Sequence, residues 1–172
     1  MLLCYAQTYG HVLGWAKPSV FLGNNSTLAF TRELAQLKVN NSEFLVFGRL
    51  MRPPVLTSAG GRPLPETSWC QEAWRGQTCC HTTQVIGQVW MANDGSLGLA
   101  LANPSSNATV SVTAKLRVDG HTHLTADGGA LVDGVPVTVG PTHLEITKSM
   151  PPLSAAVVHV SPAFAPAIAG AD

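Results

Sequence analysis

The chain has 172 residues, of which 12% are charged and 45% hydrophobic, and its formal net charge is zero. That length suits one domain, or one domain plus a fragment of another. So neutral a chain offers no electrostatic footprint for nucleic acid or anionic lipid. Nor does any apolar run reach the roughly 20 residues of a membrane span.

Residues 1–48 read as a helical segment. Met1-Leu2-Leu3-Cys4 is apolar, but no basic residue precedes it and polar Gln7 and Thr8 follow, so it makes a poor signal peptide. The chain is therefore expected to open inside folded structure, as the C-terminal part of a larger protein; the alternative is a complete small protein with a short first helix. A short buried helix is expected to end near Gly10. Lys17-Pro18 stops any continuation, because proline disfavours helix at the residue before it. The main helix is expected over 28–47. Phe30, Leu34, Leu37, Asn41, Phe44 and Leu45 approximate one of its faces at 3.6-residue spacing. Ser26 or Thr27 supplies its cap, Glu33 suits the positive end of its dipole, and Gly48 closes it. Asn40-Asn41 weakens the middle and invites a kink or a split into two helices.

Residues 49–83 read as a connector. Arg52-Pro53-Pro54 begins it, 58–65 is a Gly- and Pro-rich exposed loop, and 69–81 carries cysteines and tryptophans. Residues 84–161 read as an antiparallel β-sandwich. Strands are expected at 84–91, 96–101 and 109–118, with weaker ones at 130–132, 135–139, 143–147 and 155–160. Val110, Val112, Ala114, Leu116 and Val118 alternate with Thr109, Ser111, Thr113, Lys115 and Arg117, which places one set on a core and the other in water. Asp94-Gly95 provides the positive φ of a tight hairpin. The Ala- and Pro-rich residues 162–172 are expected to form a flexible tail. The fold class is thus mainly β, an antiparallel sandwich preceded by helix.

Three stretches carry a family resemblance. Phe47-Gly48-Arg49-Leu50-Met51-Arg52-Pro53-Pro54, following a helix, resembles the exit from the (β/α)8 barrel of glycoside-hydrolase-like proteins. The run from Val89 to Pro104, with its Trp90, Asp94-Gly95 turn and Asn103-Pro104 corner, resembles the start of their C-terminal β-sandwich. Met150-Pro151-Pro152-Leu153-Ser154-Ala155-Ala156-Val157-Val158 resembles their last strand. The resemblance spans 28–161 and is to an uncharacterised, domain-of-unknown-function branch of these proteins. It implies that residues 1–48 end a truncated barrel and that the partner is the N-terminal barrel of the parent chain. It implies a sandwich that braces the barrel and contacts carbohydrate, in a parent that is a glycoside hydrolase. The family's catalytic carboxyls sit at barrel strand ends, so none is carried onto this chain.

Candidate chemistry is sparse. Glu66 and Glu72 are the acids of the connector, with Trp69 and Trp74 placed to stack on sugar rings. Against that stands a simpler role for the tryptophans, packing at the junction of barrel and sandwich. Cys70, Cys79 and Cys80 with His81 match zinc-site spacings poorly. A disulfide from Cys70 to Cys79 or Cys80 is the better reading, in an oxidising compartment. His121 and His123 alternate but lack a third ligand, and His11, His81, His143 and His159 read as ordinary packing residues. No metal or cofactor site emerges. Asn24, Asn25 and Asn107 head glycosylation triplets, as does Asn40 inside the expected helix. Together with the disulfide they point to a secreted or lumenal protein. The alternative to a barrel-bracing fragment is an independent carbohydrate- or protein-binding β module.

Overall fold

The computed structural model describes residues 25–73, 76–117, 137–139 and 142–160. Its elements are helices α1 (Asn25–Asn40) and α2 (Ser42–Leu45) and ten strands. These are β1 (Arg49–Leu50), β2 (Val55–Ser58), β3 (Glu66–Ala73), β4 (Gly76–Thr83), β5 (Ile86–Met91), β6 (Leu97–Asn103), β7 (Val110–Arg117), β8 (Val137–Val139), β9 (His143–Met150) and β10 (Ser154–Val160). Two four-stranded sheets form, in the orders β1-β5-β6-β10 and β2-β7-β9-β8, and every pairing is antiparallel.

The sheets face each other across one apolar core. Val89, Leu97, Leu99, Leu101, Val158 and Val160 come from the first sheet, and Val110, Val112, Ala114, Leu116, Leu144, Ile146 and Met150 from the second. The first sheet is also covered on its other face. There α1 sets Phe30 and Leu34 on Ile86 and Ala102, and α2 sets Phe44 and Leu45 on Trp90, Ala92 and Ala100. The described residues therefore form three layers: a helix pair, a middle sheet and an outer sheet. Burying one such leucine contributes about 1.5–3 kcal/mol, so two covered faces make the middle sheet the most heavily anchored layer.

Two local devices fix the strand connections. Between β5 and β6, Gly95 takes φ 86°, and Asp94 Oδ1 accepts hydrogen bonds from the Ser96 N–H at 2.9 Å and hydroxyl at 2.6 Å. These bonds, the Ser96 hydroxyl first, hold the Asp94 carboxyl below its usual range. Beyond β6, Asn103 is wholly buried. Its amide nitrogen donates to the carbonyls of Ala108 at 2.8 Å, Met150 at 3.0 Å and Pro151 at 2.9 Å, and its oxygen accepts from Ser105 N–H at 3.0 Å. One side chain thus joins the β6–β7 corner to the β9–β10 turn.

Several expectations shift in detail. The single helix over 28–47 is two helices, broken at Asn41, whose side chain donates to the Leu37 carbonyl at 2.7 Å. Ser26 and Thr27 lie inside α1 rather than capping it, and Glu33 lies beyond its first turn. Val46 rather than Gly48 caps α2, while the Gly48 N–H donates to the Phe44 carbonyl at 3.0 Å. The stretch read as a connector supplies four strands: β1 extends the middle sheet, β2 extends the outer sheet, and β3 and β4 form a separate hairpin. The helix expected near Gly10, the strand at 130–132 and the tail at 162–172 lie outside the described residues.

Candidate functional site

The β3–β4 hairpin carries most of the residues that the sequence singles out. It joins neither sheet among the described residues. Its register places Glu66 opposite Thr83, Trp69 opposite Cys80, Cys70 opposite Cys79 and Glu72 opposite Gln77. Glu66, Ser68, Cys79 and His81 are exposed. Glu66 and Glu72 stand at opposite ends of β3, which at strand rise separates their Cα atoms by about 20 Å. The paired carboxyls of a glycosidase stand about 5–9.5 Å apart, so this strand does not present the two as such a pair. Trp74 lies outside the described residues.

The remaining candidates are scattered. Asn25 and Asn40 open and end α1, both exposed, and the Asn40 side chain accepts from Gln36 at 2.7 Å. Asn107 is exposed in the β6–β7 connection, where its side-chain oxygen accepts from the Ser105 hydroxyl at 3.1 Å. Asn24, His11, His121 and His123 lie outside the described residues. His159 is a packing residue, as its isolation suggests: its Nε2 lies 2.6 Å from Asn41 Oδ1, and its ring meets Phe44 edge-on at 4.9 Å. Among the described residues no three His, Cys, Asp or Glu side chains gather as a metal site. Nor, among them, is any helix long and apolar enough to cross a membrane.

The polar cluster that the fold does assemble lies on the solvent face of the outer sheet. Register brings Val55, Lys115 and Glu145 into one row, and Arg117 opposite His143. Glu145 Oε1 lies 3.3 Å from Lys115 Nζ and 3.5 Å from His143 Nε2. On the other side of the ring, His143 Nδ1 lies 3.5 Å from the Thr142 hydroxyl. Val55, Lys115, Arg117, Thr142 and His143 line a hollow of about 300 Å³. Further along the same face the row is neutral, Thr113 and Thr147 hydroxyls meeting at 3.0 Å. The alternation of β7 marks Lys115 and Arg117 as solvent-facing. It does not reveal that β9, which is distant in sequence, sets His143 and Glu145 beside them.

Comparison of the chain with protein-family models, curated proteins and solved structures finds no match in any of the three.

Proposed function

We propose that this chain is a non-catalytic β-sandwich module that braces the barrel of a glycoside-hydrolase-like protein. The observation that carries this reading is apolar surface at the end of the helix pair. Val39 is 69% exposed, Val46 51%, Phe47 71% and Leu50 48%. These four residues fall within twelve positions of the sequence, and exposed apolar groups that form a patch mark a contact surface. Phe47 and Leu50 also belong to the stretch that resembles a barrel exit, which makes a preceding barrel the partner that fits. The wide separation of Glu66 and Glu72 supports the non-catalytic part.

The test is to express the upstream barrel and this chain as separate polypeptides and follow their co-elution by size exclusion. Association that is lost on Phe47→Glu is expected. A reading frame without βα repeats upstream, or a barrel that does not associate, overturns the proposal.

A secretory setting belongs to the same reading, with a disulfide between Cys70 and Cys79 and a glycan on Asn107. Opposed residues of an antiparallel pair have Cα atoms about 4.5–5.5 Å apart, within the range a disulfide spans. Support comes from the register of Cys70 with Cys79 and from the bonded state of Cys79. A lone two-stranded hairpin is marginal in water, so a cross-link supplies what pairing with a larger sheet would. Non-reducing peptide mapping of protein from a secretory host is expected to join these two cysteines. Alkylation of all four thiols without reduction would contradict it.

A further inference from the structure

We infer that the open edge of β10 pairs with β10 of a second copy of this chain, joining two middle sheets into one across a two-fold axis. This edge lies at the end of the middle sheet opposite β1. Pairing there goes beyond barrel docking, and the two fail separately.

A strand edge presents a row of N–H and C=O groups to any passing strand, and proteins blunt such edges with shortness, charge, proline or a covering loop. The other edges of the two sandwich sheets are blunted in these ways. β1 has two residues and leads into Arg52-Pro53-Pro54, and β8 has three. β2 has four, with the Ser58 N–H bonded to the Arg62 carbonyl of its own loop at 2.8 Å. β10 differs: its seven residues, SAAVVHV, include no Lys, Arg, Asp, Glu or Pro. Among the described residues it pairs with β6 alone.

The ladder shows which backbone groups face outward. Opposed residues of an antiparallel pair alternate between bonded and non-bonded. The Ala92 N–H donates to the Ser96 carbonyl at 2.9 Å, and the Met51 N–H donates to the Val89 carbonyl at 2.9 Å. Even-numbered residues of β5 therefore bond to β6, and Val89 bonds away from it. By register Gly98 and Ala100 of β6 bond back to β5, which leaves Leu97, Leu99 and Leu101 to bond to Val160, Val158 and Ala156 of β10. The N–H and C=O groups of Ala155 and Val157 then point out of the sheet.

A second copy fits because β10 matches itself. With the two-fold axis through Ala156, Ala155 of one copy faces Val157 of the other, and Val157 faces Ala155. Each of these pairs exchanges two hydrogen bonds, about four in all. The two Ala156 residues meet as the non-bonded pair, where Cα atoms come within about 4.5 Å and a small side chain suits the close approach. His159, held by Asn41 and Phe44, stands outside this overlap. The chain has no net charge, so whole-molecule repulsion does not hold the copies apart. Each copy offers one such edge among its sandwich sheets, so the contact is isologous and closes at two.

The experiment is analytical ultracentrifugation of the full chain over rising concentration, with amide hydrogen exchange at both ends of the range. The mass is expected to rise from 18.1 kDa toward twice that value. Over the same range the Ala155 and Val157 amides are expected to gain protection, while those of Ala156 and Val158 stay protected throughout by β6. Ala155→Pro removes an outward N–H that no bond to β6 uses, a position where an edge strand tolerates proline. It is expected to weaken association by at least about tenfold and to keep a cooperative thermal transition. Should that variant not fold, the exchange of the natural chain decides alone. A mass that stays at 18.1 kDa overturns the inference. So does equal protection of Ala155 and Val157 at both concentrations, which places another segment of the same chain on the edge. Growth beyond two copies also overturns it, as does a dimer that Phe47→Glu dissolves and Ala155→Pro does not.

Discussion

Among the described residues the middle and outer sheets have four strands each, yet they are written in different sequence languages. All seven residues of β6 (Leu97–Asn103) are buried, because the outer sheet covers one of its faces and the helix pair the other. On β7 (Val110–Arg117) burial alternates, with Val110, Val112, Ala114 and Leu116 inside and Ser111, Lys115 and Arg117 exposed. The continuous apolar run signals a strand covered on both faces, and the alternating one a strand that keeps a face for water. The charged cluster is found on the face that β7 keeps for water.

The largest expected effect tests the alternation itself. Leu116 is 1% exposed in the shared core, and Leu116→Asp places an unpaired charge there. A loss of more than about 4 kcal/mol is expected, seen as the absence of a cooperative thermal transition. Ser111→Asp, on the water face of the same strand, is expected to change stability by only about 0.5 kcal/mol. Equal effects of the two would erase the distinction between the faces.

A subtler break concerns the helix-facing side of the middle sheet. Gly98 lets the Phe44 ring lie against β6, since a Cβ there would stand 2.6 Å from Phe44 Cγ. Gly98→Ala is expected to cost about 1–3 kcal/mol by overpacking, read from denaturant unfolding. Gly87→Ala meets only the tips of Leu101 and Leu56, the nearest at 2.8 Å, and is expected to cost less because those methyl groups can turn away.

The smallest effect lies in the hairpin between β5 and β6. The Asp94 carboxyl, bonded to Ser96, titrates below its ordinary value of 3.8. A lowered folded-state pKa adds stability above the unfolded value and loses it as pH falls through the folded one. The thermal midpoint of the natural chain is expected to exceed that of Asp94→Asn slightly at pH 7. The gap is expected to narrow by way of this group as the pH falls below 3.8 and through the lowered folded-state value.

Legibility followed covering. The strands at 86–91, 97–103, 110–117, 143–150 and 154–160 lie close to where apolar pattern and turn residues put them, and the Asn40-Asn41 pair marked the helix break. β1 and β2 were illegible because two and four residues are too short for a period to show. The β3–β4 hairpin was illegible for another reason: ETSWCQEA and GQTCCHTT carry no apolar alternation, and among the described residues the hairpin pairs with neither sheet. The charged hollow was half legible. Lys115 and Arg117 follow from the alternation of one strand, whereas His143 and Glu145 join them through long-range register that no local pattern encodes.

Asn103 carries a consequence for how the chain is processed. Asn103-Pro104-Ser105 has the form of a glycosylation acceptor except for its central proline. The nitrogen that would carry the sugar is the one that donates to three carbonyls at 0% exposure. In a secretory host, Pro104→Ala would therefore open the sandwich's central knot to enzymatic modification before the fold could close over it.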